Sequence, residues 1–130
     1  MLALMGNNGM EKILFIEDEP TLQKTVGEIL KQEGYTILEA LDGEIGLEIA
    51  KSEKPDLILL DLILPKKNGF EVLESLKSDP ETSGIKVIVL TNLESSQDIE
   101  RTLELGATTY LVKANYKLED VVSKINETLK

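Results

Sequence analysis

Three carboxylates, one hydroxyl and one amine stand where short apolar runs stop. Lys12-Ile13-Leu14-Phe15-Ile16 leads into Glu17 and Asp18, and Leu57-Ile58-Leu59-Leu60 leads into Asp61. Lys86-Val87-Ile88-Val89-Leu90 ends in Thr91, and Thr109-Tyr110-Leu111-Val112 ends in Lys113. Continuous apolar runs of this length suit strands buried on both faces, as in a parallel sheet. In open α/β sheets, ligands bind outside the carboxyl ends of the strands. Carboxylates packed there repel, and their pKa values rise unless a cation is present. A hard divalent ion such as Mg²⁺ (or Mn²⁺) takes oxygen ligands and relieves the repulsion. A carboxylate is also a nucleophile toward phosphorus, giving an aspartyl phosphate. That transfer needs mainly positioning and charge neutralisation, which the cation, the Lys113 ammonium and the Thr91 hydroxyl could supply to three phosphoryl oxygens.

The elements that must position these groups follow from the patterning. After the first apolar run, Pro20 sits at a typical first helical position. Leu22, Val26, Ile29 and Leu30 recur at helical spacing up to a stop at Gly34. Tyr35 to Ala40 reads as a second strand, and Asp42-Gly43 as a turn with a cap before a helix carrying Ile45, Leu47, Ile49 and Ala50. Pro55 marks the entry of the central strand. Lys66-Lys67-Asn68-Gly69 is a turn, and Phe70, Leu73 and Leu76 continue at helical spacing. Ser78 to Gly84 reads as a loop. Ile99 and Leu103, stopped by Gly106, make a fourth helix with a thin apolar stripe. Leu118, Val121, Val122, Ile125 and Leu129 make a fifth. Strand and helix alternate five times, which predicts a parallel sheet with helices on both faces and right-handed crossovers. In the flavodoxin-like, doubly wound order 2-1-3-4-5, strands one and three are neighbours at the switch point. Glu17, Asp18 and Asp61 would then converge on one crevice.

Composition narrows the chemistry. The 130 residues suit one domain, and a 42% hydrophobic content is enough for a core. The chain has no cysteine and no histidine. This removes disulfides, thiolate sites, His-based acid–base catalysis and a phospho-His carried within the chain. A net charge of -10 argues against direct nucleic-acid binding. No apolar run approaches the roughly 18 residues of a membrane span, so a cytoplasmic location is expected. Residues 1–10 read as a flexible leader or a cloning remnant, and residues 11–130 as the domain.

At this point the chain resembles the receiver domain of two-component response regulators, and the likeness covers residues 12 to 129. It is carried by Ile16-Glu17-Asp18-Glu19, by Leu60-Asp61-Leu62-Ile63-Leu64-Pro65 with Gly69 further on, by Val89-Leu90-Thr91, and by Tyr110-Leu111-Val112-Lys113. The resemblance implies a single-domain, chemotaxis-regulator-like (βα)5 protein, or one trimmed of an output domain. It implies Asp61 as phosphoacceptor. Glu17, Asp18, Asp61 and the backbone carbonyl of Ile63 would hold the Mg²⁺. Thr91 would be the switch hydroxyl, Lys113 the lysine that pairs with the phosphoryl group, and Tyr110 an aromatic whose ring turns inward when Thr91 moves. It further implies a histidine kinase or His-containing phosphotransfer protein as donor and an unknown downstream protein as recipient. The switched surface would be helix four, strand five and helix five, on a monomer or a phosphorylation-dependent dimer. Such a protein is no enzyme beyond its own phosphorylation and dephosphorylation.

Two departures stand out. Ala114 follows Lys113 where the family usually has proline, so the loop from Ala114 to Lys117 is expected to be trans and differently shaped. Asn92 is larger than the small residue often found after the threonine, and with Ile63 it would restrict water. Three other readings compete. A haloacid-dehalogenase-like phosphatase needs Asp-x-Asp-x-Thr, where this chain has Glu17-Asp18-Glu19-Pro20-Thr21. A flavodoxin-like cofactor binder needs a Ser/Thr/Gly-rich phosphate loop, which is missing after strand one. A degenerate receiver used only for interaction has Ala114 as its sole support.

Overall fold

The computed structural model describes residues 11–130. Its elements are β1 (Lys12–Ile16), α1 (Pro20–Gln32), β2 (Thr36–Ala40), α2 (Gly43–Glu53), β3 (Leu57–Leu60), α3 (Gly69–Ser78), β4 (Lys86–Thr91), α4 (Ser96–Glu104), β5 (Thr109–Val112) and α5 (Leu118–Leu129). A short 3₁₀ turn, Lys113–Asn115, joins β5 to α5. The five strands form one sheet in the order β2-β1-β3-β4-β5, with every neighbouring pair parallel. This is the flavodoxin-like, doubly wound topology that the patterning predicts. The expected leader, residues 1–10, lies outside the described residues.

The apolar strands carry two cores because successive side chains point to opposite faces. Leu14, Ile16, Ile58, Leu60, Val87 and Val89 face α2 and α3 and meet Leu47, Ala50, Val72, Leu73 and Leu76. Ile13, Phe15, Leu57, Leu59, Ile88 and Leu90 face α1 and α5 and meet Val26, Leu30, Val121, Val122 and Ile125. The whole of β3 is fully buried, at about 1.5–3 kcal/mol for each large apolar side chain removed from water. That fixes the register that brings Ile16 beside Leu60. Glu17 and Asp61 therefore leave the sheet side by side.

The loops at the carboxyl end of the sheet are packed tightly. Asp42 accepts from the Ile45 N–H at 2.8 Å and caps α2. Asn68 and Glu71 cap α3 reciprocally, at 3.0 and 3.1 Å. A Cβ on Gly69 would lie 2.4 Å from the Asp61 carbonyl oxygen, and one on Gly43 would lie 1.7 Å from that of Lys67. Both positions exclude a side chain, so the loop after Asp61 is clamped against the starts of α2 and α3.

Some boundaries differ from the sequence reading. Tyr35 precedes β2 rather than opening it. Its hydroxyl donates to the Asn126 Oδ1 and ties the α1–β2 turn to α5. Helix α2, whose end the sequence does not mark, is closed by Lys54 in a left-handed conformation, with φ 45°. Helix α4 is as thinly anchored as its pattern suggests: Thr102 is its one buried residue. The Arg101 guanidinium lies over the Phe70 ring of α3 at 4.2 Å. The described peptide bonds are all trans, including that before Ala114.

Candidate functional site

The site is assembled at the carboxyl end of the sheet by backbone bonds that continue its ladder. The Asp61 N–H donates to the Ile16 carbonyl at 3.1 Å, and the Glu17 N–H donates to that of Ala40 at 3.0 Å. Asp61 then folds its own loop, its Oδ1 accepting from the Ile63 N–H at 3.2 Å. Glu17 does the same, its Oε2 accepting from the Glu19 N–H at 3.1 Å. Each acid therefore keeps one carboxylate oxygen outside these local turns. The Glu17 and Asp61 residues are 1% and 4% exposed, whereas Asp18 is exposed.

Carboxylate oxygens of Glu17, Asp18 and Asp61 lie within 4.8 Å of one another. Lys113 supplies a cation to this cluster. Its Nζ is 2.8 Å from Glu17 Oε1 and donates to Asp61 Oδ2 at 3.0 Å. The Glu17 contact is an ion pair off the line of a good hydrogen bond, because Oε1 has no hydrogen-bond partner. Burial pushes the Glu17 carboxyl above its usual range, the Lys113 ammonium beside it pulls it back, and the Asp61 charge adds to the rise. Burial alone would lower the Lys113 ammonium. Its ion pairing with Glu17 and Asp61 outweighs that and raises it.

Thr91 is wholly buried at the end of β4, and its Oγ1 has no hydrogen-bond partner among the described residues. A buried hydroxyl without a partner costs about 1–3 kcal/mol. The donor set fits a hard divalent ion, since it offers carboxylate oxygens at close spacing and no nitrogen or sulfur ligand. Tyr110 is half-buried, packs against the α2–α3 core and donates its hydroxyl to the Leu93 carbonyl at 2.7 Å. Burial, then the charges of Asp98 and Asp61, push its hydroxyl up to about 12.

Residues 13–126 match the family model of the response regulator receiver domain. The chain belongs to that family. This receiver domain is 36% identical over 104 residues to the protein PilH of Pseudomonas aeruginosa, covering 80% of this chain and 86% of that one. It superposes with a TM-score of 0.86 on a CheY-like receiver domain protein from Methanospirillum hungatei, at 30% identity, covering 92% of this chain and 94% of the other. The Mn²⁺-bound form of the response regulator Rcp1 matches with a TM-score of 0.75 at 32% identity, covering 89% of each chain. The chain spans about half the length of several curated relatives that it matches, among them transcriptional regulators.

Within the receiver domain, the structure brings Glu17, Asp18, Asp61 and Lys113 together, with Thr91 buried at the end of the neighbouring strand. Ile63 follows Asp61 in the same loop and is 54% exposed. Tyr110 is joined to the β4–α4 loop rather than to the acids. The Tyr110 ring, partly buried, packs against the core in this conformation. The Ala114 loop takes the 3₁₀ form, and Lys113 still reaches both acids. One residue of the site region escaped the sequence reading. Gln23, 5% exposed, donates its side-chain amide to the carbonyls of Phe15, Glu17 and Ala40. The available signal was a polar residue on the buried stripe Gln23, Val26, Gly27 and Leu30 of α1.

Proposed function

We propose that residues 11–130 act as the phosphoacceptor of a two-component phosphorelay, with Asp61 as the acceptor. The donor is the phospho-His of a histidine kinase or of a His-containing phosphotransfer protein. An Asp61 carboxylate oxygen bonds to phosphorus as the P–N bond breaks, and the imidazole leaves. Glu17, Asp18, Asp61 and the Ile63 carbonyl hold Mg²⁺, or Mn²⁺ as in the solved form of Rcp1. The ion supplies charge neutralisation to the transferring group. Lys113 keeps its ammonium at the acceptor and compensates the added charge. Thr91 has a hydroxyl free to donate to a phosphoryl oxygen.

The observation that carries this reading is the Lys113 ammonium held between two buried acids, one of them the proposed acceptor. Such a group is already aimed where negative charge would build up. The output runs through the α4–β5–α5 face. Thr91 moves toward the phosphoryl group, and the loop that Tyr110 holds by the Leu93 carbonyl shifts with it. Helix α4, with little buried surface, follows. The recipient is a protein that reads this face, on a cytoplasmic monomer or a phosphorylation-dependent dimer. The domain catalyses only its own phosphorylation and dephosphorylation.

The test is the intact mass after incubation with acetyl phosphate, with and without Mg²⁺, for wild type and Asp61→Asn. A single Mg²⁺-dependent phosphoryl adduct, missing from Asp61→Asn, is expected. An adduct that persists in Asp61→Asn would move the acceptor elsewhere. A folded wild type that stays unmodified and binds no Mg²⁺ would favour the interaction-only receiver.

A further inference from the structure

We propose that Gln23 is the positioning residue of the acidic pair, fixing the peptide between Glu17 and Asp18 so that both carboxylates meet a divalent cation. The inference rests on the cation-binding reading above. Asp18 is exposed, and its carboxylate makes no hydrogen bond or ion pair among the described residues. Only its backbone can aim it. The Gln23 amide donates to the Glu17 carbonyl at 3.2 Å, and that carbonyl belongs to the Glu17–Asp18 peptide. The same nitrogen donates to Phe15 at 3.2 Å and to Ala40 at 2.8 Å. Its two hydrogens are shared among three carbonyls, so the side chain is held from three sides.

The arrangement extends the sheet past its last rung. Ile16 and Ala40 are the final paired residues of β1 and β2. Among the described residues, the Glu17 N–H bond to Ala40 is the last backbone bond between the two strands. Gln23 supplies a further partner from the first turn of α1, where its own N–H bonds the Glu19 carbonyl at 3.0 Å. One side chain thus ties together the end of β1, the end of β2 and the start of α1. Groups that orient metal ligands from behind commonly change metal affinity by about 10–100-fold when removed.

The full chain is titrated with Mn²⁺ alone, free ion is counted by electron paramagnetic resonance, and thermal unfolding is recorded in parallel. Wild type binds, and Asp18→Asn does not. Gln23→Met keeps the volume, loses the donors and weakens Mn²⁺ binding about tenfold at a temperature where it is folded. Val26→Ala, on the same buried stripe, lowers the melting temperature but keeps wild-type affinity. If Gln23→Met fails to fold, Gln23→Asn replaces it, its amide one methylene short of the carbonyls. Wild-type affinity in the Gln23 variant, or an equal loss in Val26→Ala, would overturn the proposal while leaving the cation site standing. A wild type that binds no Mn²⁺ would remove the cation reading and this inference with it.

Discussion

The Lys113 ammonium lies 2.8 Å from the Oε1 of Glu17, a carboxylate that is 1% exposed. Even with this partner, Glu17 is raised above its ordinary value of 4.5, with burial as the largest cause. The folded protein therefore binds the Glu17 proton more tightly than the unfolded chain does. Its contribution to stability is fully present below 4.5 and is lost as pH rises through the folded value.

At pH 7, without divalent ions, Glu17→Gln is accordingly expected to be more stable than wild type in urea. The gap should close as pH falls below 4.5, because shared titrations cancel in the difference. A variant less stable than wild type at pH 7 would mean that the Lys113 pairing outweighs the burial.

Removing the cation has the opposite effect. Lys113→Met leaves Glu17 and Asp61 buried with no basic partner and should cost about 3 kcal/mol in urea unfolding. Millimolar Mg²⁺ should recover more stability in this variant than in wild type, since the acids then have a single possible counter-ion. Equal gains in both proteins would show that the lysine and the metal do not share these oxygens.

Much of this was legible in the residues, for a physical reason. Every strand but β2 is an apolar run with a chemically distinct residue at its end, so period and position named the fold and the converging side chains together. What escaped depended on contacts between elements. Gln23 looks like a gap in an apolar stripe until the ends of β1 and β2 are seen beneath it. Lys54 closes α2 in a left-handed conformation that its residue type does not advertise. The Asn68–Glu71 cap was written in the spacing, but the adjacent Asn-Gly pair reads first as a turn. That Lys113 would serve as the resident counter-ion of the acids required its reach, which no spacing states.

Thr91 gives a prediction in which stability and signalling part. Its buried hydroxyl has no partner, so Thr91→Val removes an unsatisfied group and keeps the shape. The variant should melt at or above the wild-type temperature, with a gain of about 1 kcal/mol. Under the proposed mechanism it also loses the donor to the phosphoryl group, so its α4 amides should not respond to acetyl phosphate. Destabilisation by the substitution would mean that the hydroxyl has a partner in solution.

Tyr110 and Leu93 provide the last test, because their bond joins β5 to the loop that leads into α4, a helix with little buried surface. The Tyr110 hydroxyl donates to the Leu93 carbonyl at 2.7 Å, and α4 beyond it buries Thr102 alone. Tyr110→Phe keeps the ring on the core and deletes the bond, at a cost of about 1 kcal/mol. The loss should appear locally. Amide hydrogen exchange should quicken from Leu93 through Glu104 and stay unchanged in α1 and β3. The Arg101–Phe70 contact still ties α4 to α3, so Arg101→Ala in the Tyr110→Phe background should quicken exchange further. If exchange in α4 is unaltered by both changes, the helix is held by its backbone and apolar contacts. Tyr110 would then be a packing residue rather than the holder of a mobile loop.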